Sequence, residues 1–145
     1  MMQILITGTS SGIGYGLAKT FLERGDQVFG VSRREPKDLK EMVNYQHLNL
    51  DLTDTKSVEE KLPVFLTNND YFELVVLNSG VLGEIKLMKE VSQKEMKEVM
   101  EINVWANKVL LDLIFAMDIK VKQVVGISSG AALRSTPGWG SYSLS

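Results

Sequence analysis

The sequence predicts an α/β protein in which helices cover both faces of a parallel sheet, the doubly wound arrangement. Short apolar runs, which suit strands buried on both faces, alternate along the 145 residues with runs of helical periodicity. Polar side chains follow directly after several of the apolar runs. Because parallel strands joined by helices end at one edge of the sheet, we expect these side chains to meet there, where open α/β sheets bind ligands.

Five apolar runs account for the strands. They are short and largely apolar, and they span residues 2–7, 27–32, 45–50, 72–78 and 121–128. Parallel strands are connected by right-handed crossovers, and for this doubly wound sheet we predict the spatial order 3-2-1-4-5, a Rossmann-type sheet.

Helical runs separate these strands. The first begins near Tyr15 and ends at Gly25, which can take the left-handed conformation that closes a helix. Asp54 or Thr55 caps a later helix and Ser92 caps a long one. These further helices are predicted over residues 36–42, 55–67 and 93–117.

Composition excludes several classes of protein. With 44% hydrophobic and 23% charged residues, the chain has the balance of one globular domain, over residues 1–145. A net charge of -2 leaves no basic field for nucleic acid or an anionic membrane. Without cysteine or a long apolar segment, we expect a cytoplasmic protein with no disulfide, metal site or membrane span.

His47, the single histidine, lies in a strand pattern, and we assign it a structural role.

A glycine-rich segment joins the first strand to the first helix. Glycine permits a tight turn and close backbone approach, while hydroxyls and the free N–H groups of a helix start offer donors to a phosphate. We therefore predict a site for a dinucleotide pyrophosphate, with an ordinary glycine-rich turn as the alternative. The residues assigned to the site are Gly8, Thr9, Ser10, Ser11, Gly12, Ile13 and Gly14.

The long helix carries two apolar faces. One consists of Ile102, Ala106, Val109, Leu113 and Met117. The other consists of Val104, Leu111 and Phe115, with Trp105 near the boundary. Two apolar faces need two partners, so we predict that one covers the sheet and the other packs on a second subunit of a homo-oligomer. A further segment of the same chain is the alternative.

Ordered motifs run along the whole chain. They are Thr7-Gly8-x-x-x-Gly12-x-Gly14, Asp51-Leu52-Thr53, Asn78-Ser79-Gly80, Asn103, Ser128-Ser129 and Tyr142. In this order they resemble the motifs of the short-chain dehydrogenase/reductase family, except that Ser79 replaces the family's usual alanine. The resemblance implies an oxidoreductase that transfers hydride between a nicotinamide cofactor and a carbonyl or alcohol substrate.

The resemblance also implies roles for Asp51, Asn78 and Asn103. Asp51 matches the residue that meets the adenine amino group, with Leu52 adjacent, although an aspartate here could simply begin a turn. Asn78, in the motif that ends at Gly80, matches the asparagine that stabilises the central sheet and approaches the cofactor. Asn103 matches the asparagine that holds a proton-relay water, and its apolar neighbours mean that its amide needs a partner.

The end of the second strand bears on the choice of cofactor. An acidic residue there would bond the adenosine ribose hydroxyls, but this chain has Ser32, Arg33 and Arg34. A hydroxyl and guanidinium groups suit a phosphate monoester, so we predict NADP(H) over NAD(H). A solvated pair of arginines is the alternative.

The resemblance assigns the reacting groups to Ser129 and Tyr142, whose spacing is that of the family's serine and tyrosine. Tyr142 would donate a proton to the carbonyl oxygen, and Ser129 would hydrogen-bond that oxygen. A phenol with a pKa near ~10 needs a cation beside it, which the family supplies as a lysine four residues later. Since the chain ends at Ser145, we expect a truncated reductase that lacks the C-terminal strands, binds part of the cofactor and has little turnover. A non-catalytic nucleotide-binding or dimerisation module is the alternative.

Overall fold

The computed structural model describes residues 1–134 and 136–145. Its strands are β1 (Gln3–Thr7), β2 (Gln27–Ser32), β3 (Tyr45–Asn49), β4 (Tyr71–Phe72), β5 (Leu74–Leu77), β6 (Lys120–Val121) and β7 (Val124–Gly126). Five of them form one parallel sheet in the order β3-β2-β1-β5-β7. This is the predicted Rossmann-type order 3-2-1-4-5, and the predicted fold class is confirmed.

The helices are α1 (Gly12–Glu23), α2 (Lys37–Lys40), α3 (Thr55–Leu66), α4 (Gln93–Met100), α5 (Ala106–Ala116) and α6 (Gly140–Leu144). Gly25 closes α1 with a φ of 91°, as predicted. Asp54 and Ser92 cap α3 and α4, because each side chain accepts the N–H of the residue three positions later, at 3.1 and 3.2 Å. Among helices of residues 1–134 and 136–145, none has the length and apolar character needed to cross a membrane.

The fourth and fifth predicted strands are each broken in two. β4 pairs with β6 as a separate two-stranded ladder, while β5 pairs with β7. The pairing register is the same before and after the break, since Phe72 pairs with Val121 and Val75 with Val124. The break falls at Glu73, whose N–H donates to the Gln3 carbonyl at 3.0 Å while its carboxylate accepts the Gln3 N–H at 2.6 Å. Glu73 therefore anchors the break to β1. The fifth strand ends at Gly126, and residues 127–128 line the cleft described below.

Hydrophobic layers bury both faces of the sheet. Successive residues of β1 point to opposite sides, so Leu5 packs toward α3 and α5 while Ile4 and Ile6 pack toward α1. All three side chains are fully buried, which explains the unbroken apolar character of the run. Phe29 adds edge-to-face contacts with the rings of Phe65 and Phe72, on the same side of the sheet as Leu5.

The long helix differs from its prediction in two respects. A π-helical turn, Glu101–Trp105, joins α4 to α5. The buried residues of this helical segment are Val99, Ala106, Leu110 and Ile114. Of the first apolar face predicted from the sequence, only Ala106 is among them. Its other members, Ile102, Val109, Leu113 and Met117, are only partly buried. The prediction missed Leu110 and Ile114 because apolar residues surround this helix and the sequence alone does not select its most buried line.

Replacing Leu110 tests this assignment of the core. Leu110→Ala should lower the free energy of unfolding by about 2–5 kcal/mol, because its side chain is fully buried and would leave a cavity. Urea denaturation measures the change. Val64→Ala, at an α3 position that is 75% exposed, is the control and should change it by less than about 0.5 kcal/mol. Similar losses in the two variants would contradict the assignment.

Candidate functional site

One cleft of about 1110 Å³ follows the carboxyl ends of the strands. It begins at the glycine turn after β1, passes the ends of β2 and β5, and reaches the segments after β7. Thirteen of the predicted site residues line it: Gly8, Ser10, Ser11, Ile13, Ser32, Arg33, Asp51, Leu52, Asn78, Gly80, Asn103, Ser129 and Tyr142. The fold thus brings residues from distant parts of the sequence to one continuous surface.

The glycine turn is shaped by close backbone contacts. Gly8 and Gly12 have positive φ values of 75° and 62°, which glycine adopts without strain. A Cβ atom on Gly14 would lie 2.4 Å from the Gly8 carbonyl oxygen, so glycine is needed for α1 to start this close to β1. Ser11 precedes α1 and its side chain makes no capping hydrogen bond, so the first-turn N–H groups remain available to an anion.

Four predicted binding residues do not line the cleft: Thr9, Gly12, Gly14 and Arg34. The Thr9 side chain is fully buried, and its hydroxyl lies 3.0 Å from the Tyr45 hydroxyl and 3.3 Å from Ser32 Oγ. The prediction that the Thr9 hydroxyl faces a phosphate is therefore wrong, because internal partners satisfy it. Gly12 and Gly14 shape the turn instead, and of the two arginines only Arg33 lines the cleft.

Asn78 joins the ends of β1 and β5. Its Nδ2 donates to the Thr7 and Gly8 carbonyls at 3.0 and 3.3 Å. The N–H groups of Asn78 and Ser79 donate to Thr7 Oγ1 at 2.9 and 3.0 Å. These bonds cross between neighbouring strands, so Asn78 joins the ends of β1 and β5 beside the cleft.

Asp51 begins a turn and also lines the cleft. Its Oδ1 accepts the N–H and hydroxyl of Thr53 at 3.0 and 2.7 Å, and these bonds, aided by the Arg33 charge, hold the pKa of the carboxyl below its usual range. Oδ1 is therefore occupied by the turn. The two sequence interpretations of Asp51 are thus compatible.

Asn103 sits in the π-helical turn and has the partner that its sequence context demanded. Its Oδ1 accepts the Val81 N–H at 2.8 Å, and its Nδ2 donates to the Val81 carbonyl at 2.9 Å and to Ser145 Oγ at 2.7 Å. The amide therefore ties the loop after β5 to the long helix and to the end of α6. π-helical turns often occur at functional sites, where they shift side chains from the regular helical positions.

Sequence reasoning missed two polar groups beside Asn103. Asn107 donates from Nδ2 to the Asn103 carbonyl at 2.9 Å, while its Oδ1 is buried without a hydrogen-bond partner. Ser143 Oγ is buried and unpartnered in the same way, and both residues line the cleft. The spacing of Asn103 and Asn107, four residues apart on a helix, is the signal that could have identified the pair.

Ser129 and Tyr142 line the same end of the cleft. The Ser129 hydroxyl caps the turn Gly130–Ala132 by accepting the Ala131 N–H at 3.2 Å. Trp139 contacts the Tyr142 ring edge-to-face, with centroids 6.0 Å apart. Trp139 does not line the cleft.

Lys86 connects three segments around this end of the cleft. Its Nζ forms ion pairs with Glu95 and, at 3.2 Å, with Glu84. Its backbone N–H donates to the Gly138 carbonyl at 3.1 Å. The bond from Lys86, together with the Ser92 N–H, lowers the pKa of Glu95 to about 2. Of the described residues that line the cleft, only Arg33 and Lys86 carry positive side chains.

The described residues contain no group of three or more His, Asp or Glu side chains placed to hold a metal ion. His47 Nδ1 lies 2.8 Å from the Tyr45 hydroxyl, and burial lowers the pKa of the imidazole. These contacts agree with the structural role predicted for His47.

A family model described as "short chain dehydrogenase" matches residues 2–145. A benzil reductase ((S)-benzoin forming) of Bacillus cereus is 30% identical, over 98% of this chain and 62% of its own length. An NADPH-dependent pterin aldehyde reductase of Arabidopsis thaliana is 30% identical over 88% of this chain and 56% of its own. A short-chain dehydrogenase structure from Streptomyces avermitilis superposes with a TM-score of 0.88 and 26% identity, covering 99% of this chain and 54% of that one. The chain thus spans about 60% of the length of the relatives that it matches.

The Lys86–Glu95 pair predicts a pH dependence of stability. Because the pKa of Glu95 lies near 2 in the folded chain and near 4.5 when unpaired, its contribution is complete above pH 4.5 and is lost as the pH falls toward 2. Glu95→Gln should lower the thermal midpoint at pH 7 but leave it close to that of the wild type at pH 2.5. Glu60→Gln, on the exposed surface of α3, is the control and should match the wild type at both pH values. A Glu95→Gln deficit of equal size at both pH values would contradict the assignment.

Proposed function

The chain belongs to the short-chain dehydrogenase family of oxidoreductases, and on that premise we propose that it binds NADP(H) and that the whole protein reduces a small carbonyl substrate or oxidises the corresponding alcohol. The observation that carries the proposal is the continuous cleft that joins the glycine turn to Ser129 and Tyr142. Because the chain spans only part of its relatives' length, turnover is proposed for the whole protein and nucleotide binding for these 145 residues.

The residues along the cleft fit an NADP(H) molecule. The pyrophosphate would be held by the glycine turn from Gly8 to Gly14, where a Cβ atom at Gly12 would meet only open space. Asp51 and Leu52 would contact the adenine, and Asn78 and Gly80 would border the cofactor farther along the cleft. When bound, the nicotinamide would supply or accept the hydride.

Arg33 supports the choice of NADP(H) over NAD(H). It lines the cleft after β2, where the family binds the adenosine ribose, and Ser32 stands there in place of an acidic residue. A guanidinium group offers a planar fork and a permanent charge to a 2′-phosphate. The similar protein from Arabidopsis thaliana is an NADPH-dependent reductase, which supports this choice.

Replacing Arg33 tests the cofactor proposal. Arg33→Ala should weaken NADPH binding by about 10-fold or more, the loss that removing one charge-assisted contact represents, and leave NADH binding within about 2-fold. Fluorescence titration of each cofactor measures the two affinities. Arg34→Ala is the matched control, since Arg34 does not line the cleft, and should alter neither affinity by more than about 2-fold. Equal losses of NADPH and NADH in Arg33→Ala would remove the basis for NADP(H).

For catalysis we assign the proton donor to the Tyr142 hydroxyl and the stabilisation of the substrate oxygen to Ser129. Asn103 would hold the proton-relay water implied by the family, since the π-helical turn puts it at this end of the cleft. A phenol needs a nearby cation to act near neutral pH, but Lys86, the lining cation on the loop after β5, is paired with two glutamates. We therefore expect the 145 residues alone to bind nucleotide and to show little turnover. The same pairing favours the second candidate function, a nucleotide-binding module without catalysis.

Benzil is the first substrate to test, because the similar protein from Bacillus cereus is a benzil reductase. In the full open reading frame, Tyr142→Phe should lower kcat with benzil and NADPH by at least about 100-fold, the scale of general acid catalysis, with little change in the affinity for NADPH. Trp139→Phe, at a residue that contacts the Tyr142 ring from outside the cleft, is the control and should keep most of the activity. A wild-type protein that binds NADPH but reduces no carbonyl compound would favour the non-catalytic module.

The exposed part of the long helix supports a proposed homo-oligomer. Trp105 and Phe115 are 53% and 56% exposed, and both lie between residues 92 and 117, on the helix for which we predicted a second apolar face. We place this assembly in the cytoplasm, the compartment that suits a chain without cysteine.

A further inference from the structure

A chain of hydrogen bonds lies beneath the glycine turn. It ends at the turn after β2 that contains Arg33 and Arg34, called the arginine turn below. Its links are His47 Nδ1 to the Tyr45 hydroxyl at 2.8 Å, Tyr45 to Thr9 Oγ1 at 3.0 Å, and Thr9 to Ser32 Oγ at 3.3 Å. Ser32 Oγ then donates to the Arg34 carbonyl at 2.9 Å. Three strands and their loops are thereby joined inside the protein.

The last bond sets the direction of the whole chain. Each hydroxyl has one hydrogen, and Ser32 uses its hydrogen on the Arg34 carbonyl, which can only accept. Thr9 must therefore donate to Ser32, and Tyr45 must donate to Thr9. The Tyr45 oxygen then accepts from His47 Nδ1–H. Burial raises the pKa of Tyr45 to about 12, so the phenol keeps the proton that this direction requires.

The space for these bonds exists because residue 30 is glycine. A Cβ atom on Gly30 would lie 2.3 Å from the Tyr45 hydroxyl oxygen and 2.8 Å from Thr9 Oγ1. Thr9, Tyr45 and Ser32 are buried residues, 0%, 8% and 6% exposed. Since so little of these three residues is exposed, loss of one link would leave the next hydroxyl without its protein partner.

From this arrangement we infer that Tyr45 and Thr9 are positioning residues for recognition of the adenosine 2′-phosphate. The chain holds the carbonyl of Arg34, the residue directly after Arg33, and thereby sets the backbone turn that directs Arg33 into the cleft. Neither Tyr45 nor Thr9 lines the cleft, so they act on the nucleotide through Arg33. The inference rests on the proposed NADP(H) site and names the internal groups on which its selectivity depends.

The first test compares 2′,5′-ADP with 5′-AMP, two probes that differ in the 2′-phosphate and need no turnover. Tyr45→Phe and, independently, Thr9→Val should reduce the preference for 2′,5′-ADP by about threefold to tenfold, the loss expected for one hydrogen bond of ordinary strength. Binding of 5′-AMP should stay within about twofold of the wild type. Tyr71→Phe, a tyrosine of β4 outside this chain of bonds, should leave both affinities unchanged.

A double-mutant cycle shows whether the effects of Tyr45 and Arg33 on the preference for 2′,5′-ADP are coupled. If Tyr45 acts through Arg33, Tyr45→Phe should not reduce the 2′,5′-ADP preference further in an Arg33→Ala background. Additive losses would overturn the inference, as would equal weakening of 2′,5′-ADP and 5′-AMP in Tyr45→Phe. A wild type with no preference for 2′,5′-ADP would instead overturn the proposed NADP(H) site.

A second test needs no nucleotide. It therefore tests the inference about Tyr45 separately from the proposed NADP(H) site. If the chain of bonds holds the arginine turn, trypsin should cut after Arg33 or Arg34 at least about threefold faster in Tyr45→Phe than in the wild type or Tyr71→Phe, because the turn opens more often. Intact mass spectrometry identifies the cut. Equal rates in all three proteins would overturn the inference whatever the nucleotide preference.

Discussion

The cleft depends on the junction between the ends of β1 and β5, where the order of the sheet reverses direction along the sequence. Thr7 Oγ1 accepts two backbone N–H groups from the segment after β5, and Asn78 returns its amide to the Thr7 and Gly8 carbonyls. Two strands that diverge in connectivity are thereby closed at their carboxyl ends. This is the point at which open α/β sheets form a crevice for a ligand beyond the ends of the strands.

The glycine turn illustrates how one site can require two kinds of surface. On its outer side, Gly12 leaves open space and the first turn of α1 offers N–H groups. On its inner side, the Thr9 hydroxyl joins buried partners from β2 and β3. A buried hydroxyl without partners would cost free energy, so the inner bonds stabilise the turn while the outer side stays available to a ligand.

Local patterns predicted most of the fold and much of the cleft. Apolar continuity identified β1 correctly because both faces of that strand are buried, and the positive φ of Gly8 reflects the turn that its position in the motif indicated. The breaks at Glu73 and in the partner strand were not predictable in this way, because a charged residue inside an apolar run also fits a continuous strand. The selection of Leu110 and Ile114 as the most buried helical positions depended on where the sheet lies.

By itself, the sequence determined the class of sheet and the residues that lie beyond the strand ends, since these follow from periodicity, glycine positions and the alternation of strands and helices. The tertiary structure decided which way the side chains of the turn point. Thr9 faces inward because the register of β2 and β3 places Gly30 opposite His47 and brings the Tyr45 hydroxyl into the space above Gly30. That partnership joins residues 36 positions apart, and no local pattern could indicate it.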